Sequence, residues 1–153
     1  MNSSDVYLVQ TDTTIGFLSS DDNKLSLLKQ RDAKTTKKIL QVVDTFKKLK
    51  EFVRIPKQYK KKIRNSKIST FIYPNGLGFR VINKDSKHHK FIKKFACLYS
   101  TSANITQNSF DKNFAVDKSD VVVYNNNNFC EKISSKIYVV NKLNIKRIRW
   151  NHY

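Results

Sequence analysis

Pro74-Asn75-Gly76 lies between two strand-length apolar runs, Ile68 to Tyr73 and Leu77 to Ile82. Asn-Gly supplies the positive φ angles of a tight hairpin turn, so the two runs are predicted to pair antiparallel. Five further runs read as strands: Asp5 to Thr11, Ile39 to Val43, Cys97 to Tyr99, Val121 to Tyr124 and Lys136 to Val140. Asn144 to Trp150 is a weaker strand candidate, and Ile15 to Ser19 reads as strand or turn around Gly16. Helical spacing falls between them. Asn23 to Arg31 carries Leu25 and Leu28 with Asn23 as N-cap, and Asp44 or Thr45 caps a segment with Phe46, Leu49 and Phe52. Pro56 opens a helix carrying Tyr59 and Ile63, and Ser86 to Phe95 turns Phe91, Ile92 and Phe95 inward. Strands interleaved with helices, plus a hairpin, predict an α/β fold: a mixed sheet with helices packed against it. With no internal repeat and no linker, residues 1–153 read as one domain.

Hydrophobic residues make up 39% of the chain, with ten Phe and seven Tyr, enough for a real core at this length. No run approaches the roughly 18–20 apolar residues of a membrane span, and Met1 to Asp5 is polar and acidic. No membrane partner and a cytoplasmic location are therefore expected. Cys97 sits in an apolar run and reads as a buried thiol, whereas Cys130 follows an Asn tract; both are expected to be free. The absence of CxxC or HxxxH spacing predicts no metal site.

The formal charge of +18 is unevenly spread. Up to Asp32, Lys24, Lys29 and Arg31 face five aspartates, whereas from Lys34 to Lys67 thirteen Lys and Arg face only Asp44 and Glu51. A single-sign field of that kind draws polyanions, and RNA is the natural one, with Lys57, Lys60, Lys61, Lys62 and Arg64 as its contacts. The same lysine content, alongside abundant Asn, Ile, Phe and Tyr, is also what A/T-rich codons supply.

Several constellations bear on chemistry. Thr11, Asp12 and Thr13 fall where the first strand ends, the usual place for a ligand in an open sheet, although an ordinary capped turn uses the same residues. Lys29 and Arg31 stand near a helix end, where a point charge and a planar fork can meet one anion or remain solvated. Ser100, Ser102 and Asn104 alternate, so an extended backbone points all three to one side; a helix N-cap would account for one of them only. Arg80 interrupts an apolar strand and is either a carboxylate clamp or a surface charge, with Gly78 leaving room on its face. His88-His89, amid lysines, reads as a solvated helix face. No P-loop or GxGxxG motif is present.

Taken in order, Thr11-Asp12-Thr13 with Gly16 and Asp21, then Lys29-Gln30-Arg31, Phe79-Arg80-Val81 and Ser100-Thr101-Ser102-Ala103-Asn104, the chain resembles the YrdC-like family. That family makes threonylcarbamoyl-AMP and pyrophosphate from threonine, bicarbonate and ATP for a tRNA modification. The resemblance implies a twisted α/β sheet with a basic cavity on its concave face, and magnesium accompanying ATP. It implies catalytic roles for Lys29 and Arg31 on phosphate and carbamate, and nucleotide contacts from Ser100, Ser102, Asn104 and, through a loosely similar Ser134-Ser135-Lys136-Ile137, Ser135. Thr11, Thr13 and Arg80 would hold L-threonine. Implied partners are tRNA and downstream threonylcarbamoyl-transfer proteins.

The chain departs from the pattern where Gln10 and Asp32 stand for prolines, Arg64-Asn65-Ser66-Lys67 replaces a Trp-Pro-Gly-Pro loop, and Thr106-Gln107-Asn108 follows the Ala-Asn pair. Three functions follow as expectations: a minimal L-threonylcarbamoyladenylate synthase, a weakened paralogue that binds double-stranded RNA or tRNA, and a related carbamoyl-adenylating enzyme. The last usually carries acylphosphatase and zinc-finger modules, which this chain lacks.

Overall fold

The hairpin at Asn75-Gly76 forms in the computed structural model, which describes residues 1–29, 38–105, 108–124 and 128–149. Strands β4 (Ser69–Ile72) and β5 (Gly78–Val81) run antiparallel. Gly76 takes φ 81°, and Tyr73 N–H donates to Leu77 O at 2.9 Å to close the turn. The other strands are β1 (Tyr7–Gln10), β2 (Ile15–Ser19), β3 (Gln41–Val43), β6 (Cys97–Ser102), β7 (Val121–Val123), β8 (Lys136–Val140) and β9 (Ile145–Arg149). They make one mixed sheet in the order β7-β1-β2-β6-β3-β5-β4-β8-β9, parallel at β7/β1, β3/β5 and β4/β8.

Helices α1 (Asp22–Leu28), α2 (Phe46–Phe52), α3 (Lys60–Asn65), α4 (Lys87–Ile92) and α5 (Lys112–Lys118) are joined by a 3-10 turn over Lys57–Tyr59. Strand alternation divides the core between two faces. On one, Leu8, Phe17 and Ala115 pack with α1 and α5, while Val43, Phe71 and Phe79 pack with α2 and α3. On the other, Tyr7, Val9, Leu18, Val42 and Leu98 meet Phe91 and Ile92 of α4. Each fully buried aromatic such as Phe17 or Phe79 contributes about 1.5–3 kcal/mol over exposure.

The register carries the argument to function. Gln41 pairs with Tyr99 and Phe79, and Val42 with Leu98 and Arg80. Arg80, Ser100 and Ser102 therefore share the α4 face, with Thr70 of β4 beside them.

Several expectations need correction. The α1 cap is Asp21, whose carboxylate accepts from Asn23 and Lys24 N–H at 3.0 and 3.3 Å; Asn23 itself lies in the first turn. The hydroxyl run does not follow its strand but is part of it, because β6 continues through Ser102 in antiparallel register with β2. Helix α5, capped by Asp111, was not anticipated, since its buried contribution is a single alanine. His88 is buried, at 3% exposure, rather than solvated. It precedes Phe91 and Ile92 by three and four residues and so lies on the stripe that meets the sheet.

Candidate functional site

Helix α1 ends at Lys29, whose N–H donates to Leu25 O at 3.2 Å. The side chain reaches the end of β6 and is only 7% exposed. Its ammonium Nζ meets Ser102 O at 3.1 Å, Ser102 Oγ at 3.2 Å, Asn104 O at 2.5 Å and Asn104 Oδ1 at 2.9 Å. A buried ammonium is tolerated only with such partners. Asn104 is oriented from its other end too, its Nδ2 donating to Asn108 O at 2.5 Å. Three residues from two separate sequence motifs thus converge on one point; Arg31, which shares the motif of Lys29, lies outside the described residues.

The turn after β1 forms a second cluster. Thr11 and Thr13 share a hydroxyl hydrogen bond at 3.1 Å, Thr13 N–H donates to Thr11 Oγ1 at 3.1 Å, and Thr11 Oγ1 donates to Thr14 O. Between them Asp12 turns to Arg80, 3.1 Å from Nη2. A flat sheet would hold β1 and β5, four spacings apart, about 19 Å from each other. A direct contact between their residues requires the sheet to curl over this face.

Arg80 is 3% exposed. Burial pulls its pKa down and the Asp12 charge works against that shift. Among the described residues Arg80 Nε and both ring nitrogens of His88 make no hydrogen bond. Burial first, then the charges of Arg80 and His89, depress His88 to about 3, so the imidazole is neutral. His89 faces elsewhere, its Nε2 3.0 Å from Asp44 O.

Ser135 is held by Thr70 and Arg149. Its Oγ lies 3.0 Å from Thr70 Oγ1 and accepts from Arg149 Nη2 at 3.1 Å, while its carbonyl accepts from Arg149 Nε and Nη2 at 3.0 and 2.7 Å. Arg149 was missed by sequence reasoning: β9 reads Ile-Lys-Arg-Ile-Arg, and nothing in it distinguishes this cation from its neighbours. Partial burial, followed by the charge of Arg80, lowers its pKa. Ser100 is buried on the same face. Gly78 is not a close approach: a Cβ there would meet Ile72, Leu40 and Thr70 at an ordinary 3.6 to 3.8 Å. Gly16 is one, since its Cβ would stand 3.0 Å from Thr11 Cγ2 and 3.1 Å from Thr101 O.

Beside the Lys29 cluster opens a cavity of about 270 Å³, with Ser102, Ala103 and Asn104 on one wall and Phe110, Glu131 and Ser134 among the others. The segment from 128 to 134 passes over it, tied by Cys130 N–H to Gln10 Oε1 at 2.9 Å and by Glu131 Oε1 accepting Phe110 N–H at 2.8 Å.

The basic residues of α3 stand on the face of the sheet away from α4. Lys62 lies over the Tyr138 ring at 5.6 Å, and Arg64 and Lys50 lie over the Phe46 ring at 5.4 and 5.9 Å. Lys57, Lys60 and Lys61 are exposed beside them. Among the described residues no helix is long and apolar enough to cross a membrane, and both cysteines are free, Cys97 half-buried and Cys130 exposed.

No protein-family model matches the sequence, and no curated protein matches it. Solved structures do. Sua5 of P. abyssi, complexed with L-threonine, superposes at a TM-score of 0.75 with 13% identity, over 95% of this chain and 50% of that one. YciO of E. coli gives 0.71 at 11% identity, over 97% and 84%. Full-length HypF, in its phosphate- and nucleotide-bound form, gives 0.68 at 15% identity, over 95% and 27%. The chain thus spans about a quarter of HypF and half of Sua5. It has the YrdC-like α/β fold.

Proposed function

We propose that this chain is an L-threonylcarbamoyladenylate synthase, a nucleotidyltransferase that forms threonylcarbamoyl-AMP and pyrophosphate from L-threonine, bicarbonate and MgATP for tRNA modification. The observation that carries the reading is the convergence of Lys29, Ser102 and Asn104 on one buried point. Such a site suits a reaction that needs positioning and charge neutralisation more than a protein nucleophile. The threonine amine adds to the bicarbonate carbon with loss of water, giving a carbamate. A carbamate oxygen then attacks the α-phosphorus, and the bond to the bridging oxygen breaks with its electron pair leaving on pyrophosphate. Lys29, with Arg31, neutralises the phosphates, and Ser100, Ser102 and Asn104 hold the nucleotide. Thr11 and Thr13 bind threonine, with Arg80 facing its carboxylate. Ser135 acts through Arg149, which it fixes in place.

The test is mass spectrometry of the protein with MgATP, bicarbonate and threonine. The expected result is an adenylate dependent on both threonine and bicarbonate, lost in Lys29→Ala while the fold persists. Absence of product from folded protein, with serine also tried, would overturn the reading.

A second reading, a module for duplex RNA or tRNA, is favoured by the cations held over Tyr138 and Phe46, which fix positive charge on the α3 side. Lys57, Lys60, Lys61, Lys62 and Arg64 would be its contacts. Affinity for duplex RNA should then fall steeply with salt; affinity indifferent to salt would rule it out. Handing an adenylate to transfer proteins in a cytoplasmic pathway is compatible with either surface.

A further inference from the structure

We propose that the outer edge of β7 is a dimerisation surface, occupied by β7 of a second copy of this chain, antiparallel about a two-fold axis through Val122. The sheet ends in two strands, β7 and β9, each paired on one side only among the described residues. The two edges are built differently. In β9 the register against β8 skips Ile148, a bulge, and Lys146, Arg147 and Arg149 line the strand. Arg147 Nε also donates to the Arg149 carbonyl at 3.2 Å. Bulges and cations are the usual guards of an open edge. Strand β7 has neither: it reads Val-Val-Val, in unbroken register with Tyr7, Leu8 and Val9.

The backbone of β7 dictates how a neighbour fits. Val121 N–H donates to Val6 O at 3.1 Å, so Val121 and, two residues on, Val123 turn their amides to β1. Val122, between them, turns its N–H and C=O outward. A second β7 running antiparallel matches this arrangement. The two Val122 residues exchange both hydrogen bonds, and Val121 of each copy stands opposite Val123 of the other in the closer, non-hydrogen-bonded kind of pair. Such β-branched side chains pack well across a pleated surface. Val116, Val121 and Tyr124, at 37%, 36% and 73% exposure, add apolar surface along the same stretch of chain.

Charge selects the occupant. Two chains at +18 repel wherever their lysines meet. From Lys132 to Arg149 six cations stand with no acidic residue, which forbids β9 from facing β9. From Asp111 to Glu131, four acidic residues stand with only two lysines. The charges nearest β7 are matched within the chain: Lys118 lies 3.7 Å from Asp117, and Asp120 accepts Val6 N–H at 2.8 Å. Of the two edges, β7 is the one that a second copy approaches without setting cation against cation. A two-fold contact of this kind closes at two copies, and the guarded β9 edge adds no third.

Sedimentation equilibrium of the full chain tests this at loadings from about 1 to 500 µM, since so small an interface implies a dissociation constant on the order of 10–100 µM. A monomer–dimer equilibrium is expected. It should tighten between about 0.1 and 0.5 M salt, as screening relieves the repulsion of the two chains. Val122→Pro removes the outward N–H at a position where an edge strand tolerates proline. It should weaken the dimer about tenfold or more, the scale of a lost pair of hydrogen bonds. Val121→Lys, at an exposed site opposite Val123 of the second copy, should weaken it similarly and leave the urea midpoint of dilute protein unchanged. A chain that is monomeric at every loading would overturn the proposal and leave β7 to a strand of another protein. So would a dimer that both variants retain, or masses that grow beyond two copies and fall with salt, the mark of β7 docking on the basic β9 edge.

Discussion

Arg80 Nη2 stands 3.1 Å from Asp12 Oδ1, a contact made across the three strands that separate β5 from β1. The pair links the middle of the sheet to the turn bearing Thr11 and Thr13. Removing one member leaves the other charged and buried. Asp12→Ala should therefore cost about 3–5 kcal/mol of stability in urea unfolding. The double variant Asp12→Ala/Arg80→Met should lose less than the sum of the single losses, because no unpaired charge remains. Additive losses would show that the two side chains are not coupled.

His88 makes the fold sensitive to acid. Its pKa is depressed from 6.5 to about 3 by burial and by Arg80 and His89, so the unfolded chain takes up a proton that the folded chain refuses. Stability is then fully present above about pH 6.5 and falls by up to about 1.4 kcal/mol per pH unit as pH drops toward 3. The charged groups facing the imidazole are cations, and they strengthen the effect. Urea midpoints at pH 7.5 and 5 should differ for the wild type and converge in His88→Leu, whose remaining pH dependence comes from other groups.

Much of this was legible in the chain. The hairpin at Asn75-Gly76 and the strand pattern gave an α/β sheet, and the spacing of Ser100 and Ser102 correctly set both on one face. The resemblance implied phosphate for Lys29 and nucleotide for Ser102 and Asn104, and the structure brings these three side chains together. What stayed hidden was tertiary. The partner of Arg80 is a carboxylate 68 positions away in sequence, and no local signal links them. His88 was misjudged because its lysine neighbours suggested water, although its spacing to Phe91 and Ile92 matches the buried stripe. Arg149 acquires its place only through the pairing of β9 with β8.

Gly16 carries a steric constraint that bears on Thr11. A Cβ at this position meets Thr11 Cγ2 at 3.0 Å and the Thr101 carbonyl at 3.1 Å, and the backbone oxygen cannot step aside. Gly16→Val should cost about 1–3 kcal/mol by overpacking and displace the Thr11 hydroxyl. Thermal unfolding reads the first effect, and loss of threonine binding in calorimetry reads the second.

The two thiols should separate cleanly. Burial pushes Cys97 up to about 11, with its Sγ 3.4 Å from Gln41 Oε1, whereas Cys130 is exposed. At pH 8 an alkylating reagent should label one equivalent rapidly in native protein and none rapidly in Cys130→Ser. Two fast equivalents would mean that the β3/β6 region opens readily.

The parallel pairing of β1 with β7 has a consequence for biosynthesis. Val6, at the head of β1, is bound through its N–H to Asp120, 114 residues further on. On a ribosome adding about 5–20 residues per second, the outer edge of the first strand waits on the order of ten seconds for its neighbour. Throughout that interval Val6-Tyr7-Leu8-Val9, among the most buried segments of the finished protein, presents an open row of backbone donors and acceptors. Nascent chains halted before residue 121 would keep that edge indefinitely, so the demand for chaperones during translation should be set by the first strand rather than by the basic surface.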